Sequence, residues 1–273
     1  MRAFYLRPHY AGLLLPLAAL LPLLAQTAVA VPINYGDFSG TTVDYLDVTE
    51  DSSTGDTLPL FGAPNISGDS LDFDPVGFSA NSAGGGAPDQ TTGQLAFMIR
   101  AKAGKAIESL SLSEAGDTSL ARSIVSSDDA STSVTAIVSV QILDVDFLPL
   151  TTAISTGGMM TFTPSAGDYL LSTDGAGNPT YNTSWTGSFF LELGPILAAN
   201  SITGLATKVS ISVDNALTAT SALNSSALIA KKDFDGVVIT VNPGPDNVVP
   251  EPTSCVLAAL GLLTTLGCCR RGR

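Results

Sequence analysis

Apolar residues recur at every second position through most of residues 31–241. The clearest run is residues 132–147, where one face carries Val134, Ala136, Val138, Val140 and Ile142. Similar alternation marks residues 93–101, 185–193 and 205–213. Because successive side chains of a strand point to opposite faces, this period predicts strands that each bury one face.

Clusters of Gly, Asn, Asp, Ser and Pro separate these runs and predict about ten to twelve strands in all. Two local predictions follow. Residues 93–101 and 107–112 should pair as a hairpin that turns at Gly104, and residues 114–117 (Glu-Ala-Gly-Asp) should form the next turn. The whole pattern favours an all-β fold, an antiparallel β-sandwich of the jelly-roll or immunoglobulin-like type.

One domain over residues 31–241 is the first prediction for this part of the chain. The alternation is weakest between Pro149 and Pro164, so a split near residues 150–165 is the alternative. About 220 residues are enough for one core or for two smaller ones.

The first 30 residues have the three parts of a secretory signal peptide. Arg2 and Arg7 form a basic start, residues 11–25 are apolar, and Ala28 and Ala30 form an A-x-A cleavage site. This order predicts a signal peptide over residues 1–30, which is removed on export.

The last 24 residues carry three elements in a fixed order. They are a proline-bracketed glutamate, an uncharged apolar run and a basic end: Pro250, Glu251 and Pro252, then residues 255–269, then Arg270, Arg271 and Arg273. A Pro/Gly-rich linker over residues 242–249 precedes them. A helix over the apolar run reaches only about 22 Å, against about 30 Å of hydrocarbon. This predicts a short, marginal transmembrane helix with its arginines in the cytoplasm.

This tail resembles the PEP-CTERM sorting signal of Gram-negative bacteria, over about a tenth of the chain (residues 250–273). The resemblance implies that an exosortase, a membrane protease-transpeptidase, processes the protein near its Pro-Glu-Pro motif. It also implies a link to exopolysaccharide and biofilm. Phrases such as TTVDYLDVTEDS and GQLAFMIRAKAG are similar to β-rich cargo domains of that family, which have no assigned activity.

Composition narrows the chemistry of residues 31–250. This region contains no cysteine and no histidine, so a disulfide framework, a Ser-His-Asp or Cys-His site and an ordinary zinc site are all excluded. Its 24 acidic and seven basic residues give a formal charge of −17. That charge argues against binding to nucleic acid and suits a soluble exported domain.

Hard oxygen ligands make calcium the cofactor to consider, with Asp144, Asp146 and Asp174 as candidates. Three D-x-D pairs occur, namely Asp72/Asp74, Asp144/Asp146 and Asp233/Asp235. None of them matches an EF-hand loop. The preferred interpretation is that these aspartates cap turns and block edge pairing, so no metal or cofactor is predicted and calcium is the alternative.

Aromatic residues bear on sugar binding. Trp185, the only tryptophan, starts an alternating strand and is predicted to lie in the core, whereas Tyr169 and Tyr181 are better candidates for exposure.

The sequence therefore predicts a non-enzymatic exported protein. It would be held transiently in the inner membrane after passing the export machinery, and would then act structurally at the cell surface or in the extracellular matrix. A carbohydrate-binding or adhesion module on the same route is the alternative, and an extracellular glycoside hydrolase that uses two carboxylates is a further one.

Overall fold

A computed structural model of the chain describes residues 31–123, 129–171 and 179–241, with backbone only for residues 237–241. Fourteen strands and one short α-helix make up these residues. In chain order they are β1 (Ile33–Ser39), β2 (Val43–Asp51), β3 (Asn65–Ser67), β4 (Ser70–Phe73), β5 (Ser79–Ala83), β6 (Asp89–Ala101), β7 (Ala106–Arg122), β8 (Ala130–Val145), β9 (Leu148–Met159), β10 (Thr161–Thr163), β11 (Asp168–Leu171), β12 (Thr180–Glu192), α1 (Leu193–Ala199), β13 (Ala206–Ser221) and β14 (Ser225–Val241). The predicted all-β class is confirmed.

Every strand pairing is antiparallel, as predicted. The first ladder runs β1-β2-β6-β13-β8-β9, with β11 on β8. The second runs β3-β4-β14-β7-β12-β10, with β5 on β14. Among the described strands, one register pair, Ala206 with Ile107, joins the two ladders.

The inward side chains of both ladders form one hydrophobic core. Val138 on β8 and Ile211 on β13 enter it from the first ladder, and Leu112 on β7 and Ile229 on β14 enter it from the second. The alternation read from the sequence is what produces this core, because each long strand buries every second side chain.

The predicted hairpin between residues 93–101 and 107–112 is wrong. Both segments are strands, but β6 pairs with β2 and β13, whereas β7 pairs with β12 and β14. Gly104 has a φ of +73° and turns the chain, but the turn carries it from one ladder to the other. Alternation predicts which face of a strand is buried, and it does not say which strand is the neighbour.

The predicted turn at residues 114–117 is also wrong. These residues lie inside β7, and Glu114 and Gly116 both point into the core. Glu-Ala-Gly-Asp resembles a turn because charged residues and glycine are rare at inward strand positions. The packing that tolerates them here is described with the candidate site.

The β8–β9 hairpin ends the longest alternating run. Asp146 and Phe147 have φ values of 49° and 63°, which is the two-residue turn favoured between twisted antiparallel strands. β9 then pairs with β8 through the stretch where a domain split was considered, and β10 and β11 follow. Residues on both sides of this stretch belong to the same core.

The α-helix α1 follows β12 directly and has Pro195 in its first turn, where proline is tolerated. Within the described ranges, no helix has the length and apolar character needed to cross a bilayer. The predicted signal peptide (1–30), the predicted linker (242–249) and the predicted sorting tail (250–273) lie outside the described residues.

Glu50 on β2 holds the loop between β2 and β3 as a buried anchor. Its Oε1 accepts the amide hydrogens of Leu60 and Phe61, the second at 3.1 Å. Its Oε2 accepts from the Gly62 amide at 3.2 Å and from the Tyr35 hydroxyl at 2.6 Å. Burial and this hydrogen bond raise the pKa of Tyr35.

Replacing Glu50 with alanine should lower the free energy of unfolding by about 2–3 kcal/mol, because buried amides lose their acceptor. Urea unfolding followed by circular dichroism measures the loss. Tyr35→Phe is the matched control: it removes one of the four hydrogen bonds and should lose only about 1 kcal/mol. Equal midpoints for Glu50→Ala and the unchanged protein would contradict this role.

Candidate functional site: a buried lysine, glutamate and asparagine

Three polar side chains meet inside the core, one from each of three strands. Lys231 comes from β14, Glu114 from the neighbouring β7, and Asn215 from β13 in the facing ladder. All three residues are buried, and the side chains of the lysine and the glutamate are fully so. Polar side chains from the two ladders therefore meet at this cluster inside the core.

A β-bulge follows the lysine. Lys231 points inward in regular alternation with Ala227 and Ile229, and the register between β14 and β7 then shifts between Lys231 and Asp233, so that Phe234 also points into the core. Bulges of this kind redirect a side chain and are common beside functional sites. The Lys231 backbone amide also donates to the Phe78 carbonyl at 2.9 Å, which fixes the strand at this point.

The lysine amine contacts both partners. Nζ of Lys231 donates to Oε2 of Glu114 in a very short contact and to Oδ1 of Asn215 at 2.5 Å. Two further polar atoms, Oε1 of Glu114 and Nδ2 of Asn215, are buried and have no partner within the described residues. The cluster is thus close in space but incompletely hydrogen-bonded, which is costly in an apolar interior.

Aromatic rings enclose the amine. Nζ lies 5.2, 5.1 and 5.5 Å from the ring centres of Phe61, Phe78 and Phe234. These rings also pack against each other edge to face. The rings attract a cation weakly, and they also remove water from around it.

Two glycines on the second ladder make room for large side chains around the cluster, Gly187 for Glu114 and Phe162, and Gly116 for Trp185. A Cβ at Gly187, which pairs with Glu114 across β12 and β7, would lie 2.9 Å from Cγ of Glu114 and 2.6 Å from the Phe162 ring. A Cβ at Gly116 would lie 2.4 Å from the Trp185 ring. The glycine that looked like a turn residue in the sequence is therefore a packing requirement of the site.

Burial changes the protonation of the pair. Removal from water raises the pKa of Glu114 and lowers the pKa of Lys231, while the contact between them opposes both changes. Desolvation is the larger effect for each group, so the environment favours a neutral amine and a neutral carboxyl.

The sequence contained little sign of this cluster. Lys231 is one of two adjacent lysines, Glu114 falls in a predicted turn, and Asn215 is one of many asparagines. A possible signal is that Phe234 breaks the period of two after Ala227 and Ile229, as a bulge requires.

The calcium candidates lie elsewhere. Asp144 lies near the end of β8, close to the β8–β9 turn. Asp146 is the first residue of that turn, and its Oδ1 accepts a hydrogen bond from the Leu205 amide at 3.0 Å. This bond is the turn-capping role of the preferred interpretation. Asp174 lies outside the described residues, so calcium at this set stays an untested alternative.

The other two D-x-D pairs come together. Asp72 and Asp235 are direct partners across β4 and β14, and with Asp233 they place carboxylate oxygens within 4.8 Å of one another. Burial first, then the charges of Asp74 and Asp233, raise the pKa of Asp72. No second feature in the described part of the chain points to an ion there.

A surface groove of about 440 Å³ is lined by Ser, Thr, Gln and Gly residues, by Asp51 and Asp214, by the apolar Ile137 and Ala216, and by Asn215 of the buried cluster. No aromatic residue lines it. Trp185 lies in the core, as predicted. Tyr169 was expected to be exposed and is not: only 2% of it is accessible, and burial raises its pKa to about 12. Tyr181 is half-buried.

The remaining predicted site residues are terminal. They are Ala28, Ala30, Pro250, Glu251, Pro252, Arg270, Arg271 and Arg273, all outside the described residues.

No protein-family model matches the chain, and no curated protein matches it either. Among solved structures, the chain is similar to the enzymatically active domain of bacteriophage CBA120 tailspike protein 4, at 10% identity and a TM-score of 0.19. That alignment covers 78% of this chain and 20% of the tailspike chain.

Two further similarities are equally distant. Infectious bursal disease virus, Gx strain, matches at 13% identity and a TM-score of 0.17, over 81% of this chain and 57% of the viral chain. The GH31 alpha-xylosidase of Xanthomonas citri matches at 10% identity and a TM-score of 0.16, over 80% and 23%. The chain thus spans well under two thirds of each of these proteins, and none of them informs its function.

Proposed function

We propose that this chain is an exported, non-catalytic structural protein of the cell surface or extracellular matrix, processed by an exosortase through its C-terminal signal. The observation that carries the proposal is the order of elements in the tail. A Pro-Glu-Pro motif (250–252) is followed by an apolar segment (255–269) that is shorter than the hydrocarbon core of a bilayer, and then by a basic end.

The geometry of residues 31–241 supports a structural role. Lys231 and Glu114, whose pKa values are shifted by burial, lie inside the core, and neither of them lines the groove of about 440 Å³. Catalytic acids and bases need access to substrate, and perturbed groups at a cleft are the usual indication of an active site. Asn215 is the member of the cluster that lines this groove, and it is neither an acid nor a base.

We also propose that the two ladders are the layers of a β-sandwich, of the jelly-roll or immunoglobulin-like type. Contacts across the core support this arrangement. The Thr118 hydroxyl on β7 lies 2.5 Å from that of Thr132 on β8, and Lys231 on β14 reaches Asn215 on β13. Side chains of facing layers meet in this way in sandwiches.

The sorting proposal is tested by replacing Pro250, Glu251 and Pro252 with alanine in the producing cell. We expect an unprocessed form to accumulate in the inner-membrane fraction, because the motif presented to the protease is gone while the span remains. Cell fractionation and immunoblotting measure the distribution.

The matched control changes Pro243 and Pro245 to alanine, two prolines of the preceding linker. This variant should be processed as the unchanged protein is. If the motif variant is also shortened and released normally, the exosortase proposal fails.

A further inference from the structure

The buried cluster has the parts of a condensation reaction as well as those of an ion pair. It brings together a primary amine (Lys231), a carboxamide (Asn215) and a carboxyl group (Glu114). Because Cγ of Asn215 is one carbonyl bond, about 1.2 Å, from Oδ1, Nζ lies within about 4 Å of that carbon. Reacting atoms held at such distances approach a near-attack geometry.

We propose that Lys231 and Asn215 join spontaneously in an intramolecular isopeptide bond after folding, with Glu114 transferring the protons. The bond would link β13 to β14 and so tie the two ladders together covalently. This inference concerns the interior of the domain and does not depend on how the protein is sorted.

The reaction balances without any other reactant. The Nζ lone pair attacks Cγ, and Glu114 gives its proton to the developing charge on Oδ1. The tetrahedral intermediate passes a proton from Nζ through the Glu114 carboxyl to Nδ2. Oδ1 returns its proton to the Glu114 carboxylate as the carbonyl re-forms, the Cγ–Nδ2 bond breaks, and ammonia leaves. Glu114 ends protonated as it began, and nothing is oxidised or reduced.

The environment suits each step. An amine attacks a carbonyl only when it is uncharged, and desolvation favours the neutral amine of Lys231. A protonated carboxyl is needed at Oδ1, and burial raises the pKa of Glu114. The rings of Phe61, Phe78 and Phe234 keep out the water that would compete for the intermediate.

The product also removes what is unfavourable in the unlinked cluster. The unlinked cluster holds a fully buried amine and carboxyl, together with Oε1 of Glu114 and Nδ2 of Asn215, which have no partner within the described residues. In the linked state, Nδ2 has left, the amine has become a neutral amide, and Oε1 and Oε2 of Glu114 can bond to the new N–H and C=O. Unsatisfied polar groups in a core are costly, so the direction of the reaction is favourable.

Peptide mapping of the full chain decides the matter. Trypsin cuts after Lys208 and Lys232, and no other Arg or Lys except Lys231 lies between them. An acylated Lys231 is not cleaved. We therefore expect a peptide of residues 209–232 that is lighter than its sequence by one ammonia molecule. A peptide of residues 209–231 at full mass would overturn the proposal.

Cyclisation of an asparagine onto its own backbone also releases ammonia, so the linkage itself must be shown. Chymotrypsin can cut after Leu217, Leu223 or Leu228, inside the ring that the bond would close. In the linked protein the two halves then remain joined as a branched peptide holding Asn215 and Lys231. Halves that separate would contradict the bond.

Variants assign the roles. Lys231→Met and Asn215→Leu should each restore the full intact mass, and Glu114→Gln should leave most of the chain unlinked. Lys232→Met is the matched control, because this neighbouring lysine is exposed and pairs with Asp117 at the surface. It should keep the loss of ammonia. If the Lys231→Met chain still has a mass one ammonia molecule below that of its own sequence, the assignment fails. The mapping of the unchanged chain is decisive even if a core variant does not fold.

Discussion

Replacing Glu114 with alanine should lower the free energy of unfolding by about 3–5 kcal/mol, among the largest losses in this domain. The substitution removes the only acidic partner, within the described residues, of a lysine whose side chain is fully buried. An amine left among Phe61, Phe78 and Phe234 must either carry a charge without compensation or stay neutral with one acceptor. The proposed isopeptide bond also needs Glu114. We therefore expect the variant to be less stable than the unchanged protein whether or not that protein carries the bond.

Urea unfolding followed by circular dichroism measures this loss. Glu108→Ala is the matched control, since Glu108 lies on the same strand with its side chain exposed, and it should change the free energy by less than about 0.5 kcal/mol. The double variant Glu114→Leu/Lys231→Met should recover part of the loss, because replacing a buried pair by apolar groups is often neutral. Equal losses for Glu114→Ala and Glu108→Ala would refute the pair's role.

The alternation in the sequence predicted most of the strands and the antiparallel class, because burial of one face is recorded directly in a period of two. Val134 to Ile142 on β8 show this plainly, and all the apolar residues of that face are buried. The alternation did not indicate which strands pair with each other. The turn at Gly104 looks the same in the sequence whether it folds a hairpin or crosses to a facing ladder.

The candidate site was missed for a related reason. A glutamate and a glycine two residues apart, Glu114 and Gly116, are unfavourable inside an isolated strand. They are accommodated only because Lys231 and Trp185 come from strands far away in sequence. Lys231 continues the inward alternation of Ala227 and Ile229, but a lysine at such a position gives no sign in the sequence that it is buried. Where local preference and burial disagree in this way, the disagreement itself marks a special site.

The proposed isopeptide bond and the proposed sorting signal both involve β14. β14 is the last described strand, and the tail that the exosortase would process follows it. A protein held at the cell surface through that tail would receive force first at β14. An isopeptide bond between Lys231 and Asn215 would prevent this strand from being pulled out of the core before β13, which has long ladders on both sides.

Replacing Trp185 with alanine should cost about 3–5 kcal/mol, the range found when a large buried aromatic side chain is removed. Trp185 is 1% exposed and packs edge to face against Phe162, with ring centres 6.0 Å apart. Its ring lies over Gly116, where a Cβ would come within 2.4 Å. The cavity left by the indole is therefore bounded partly by strand backbone, which cannot move in to fill it.

Unfolding of this variant is measured by circular dichroism, because Trp185 is the only tryptophan and the substitution removes its fluorescence signal. Phe190→Ala is the control on the same strand: Phe190 is 58% exposed and should lose less than about 1 kcal/mol. Trp185→Phe should lose much less than Trp185→Ala, since most of the ring volume is kept and the buried Nε1 has no partner within the described residues. If Trp185→Phe is as unstable as Trp185→Ala, then the indole N–H has a role that the packing does not explain. If neither variant is destabilised, the core is not organised around this ring.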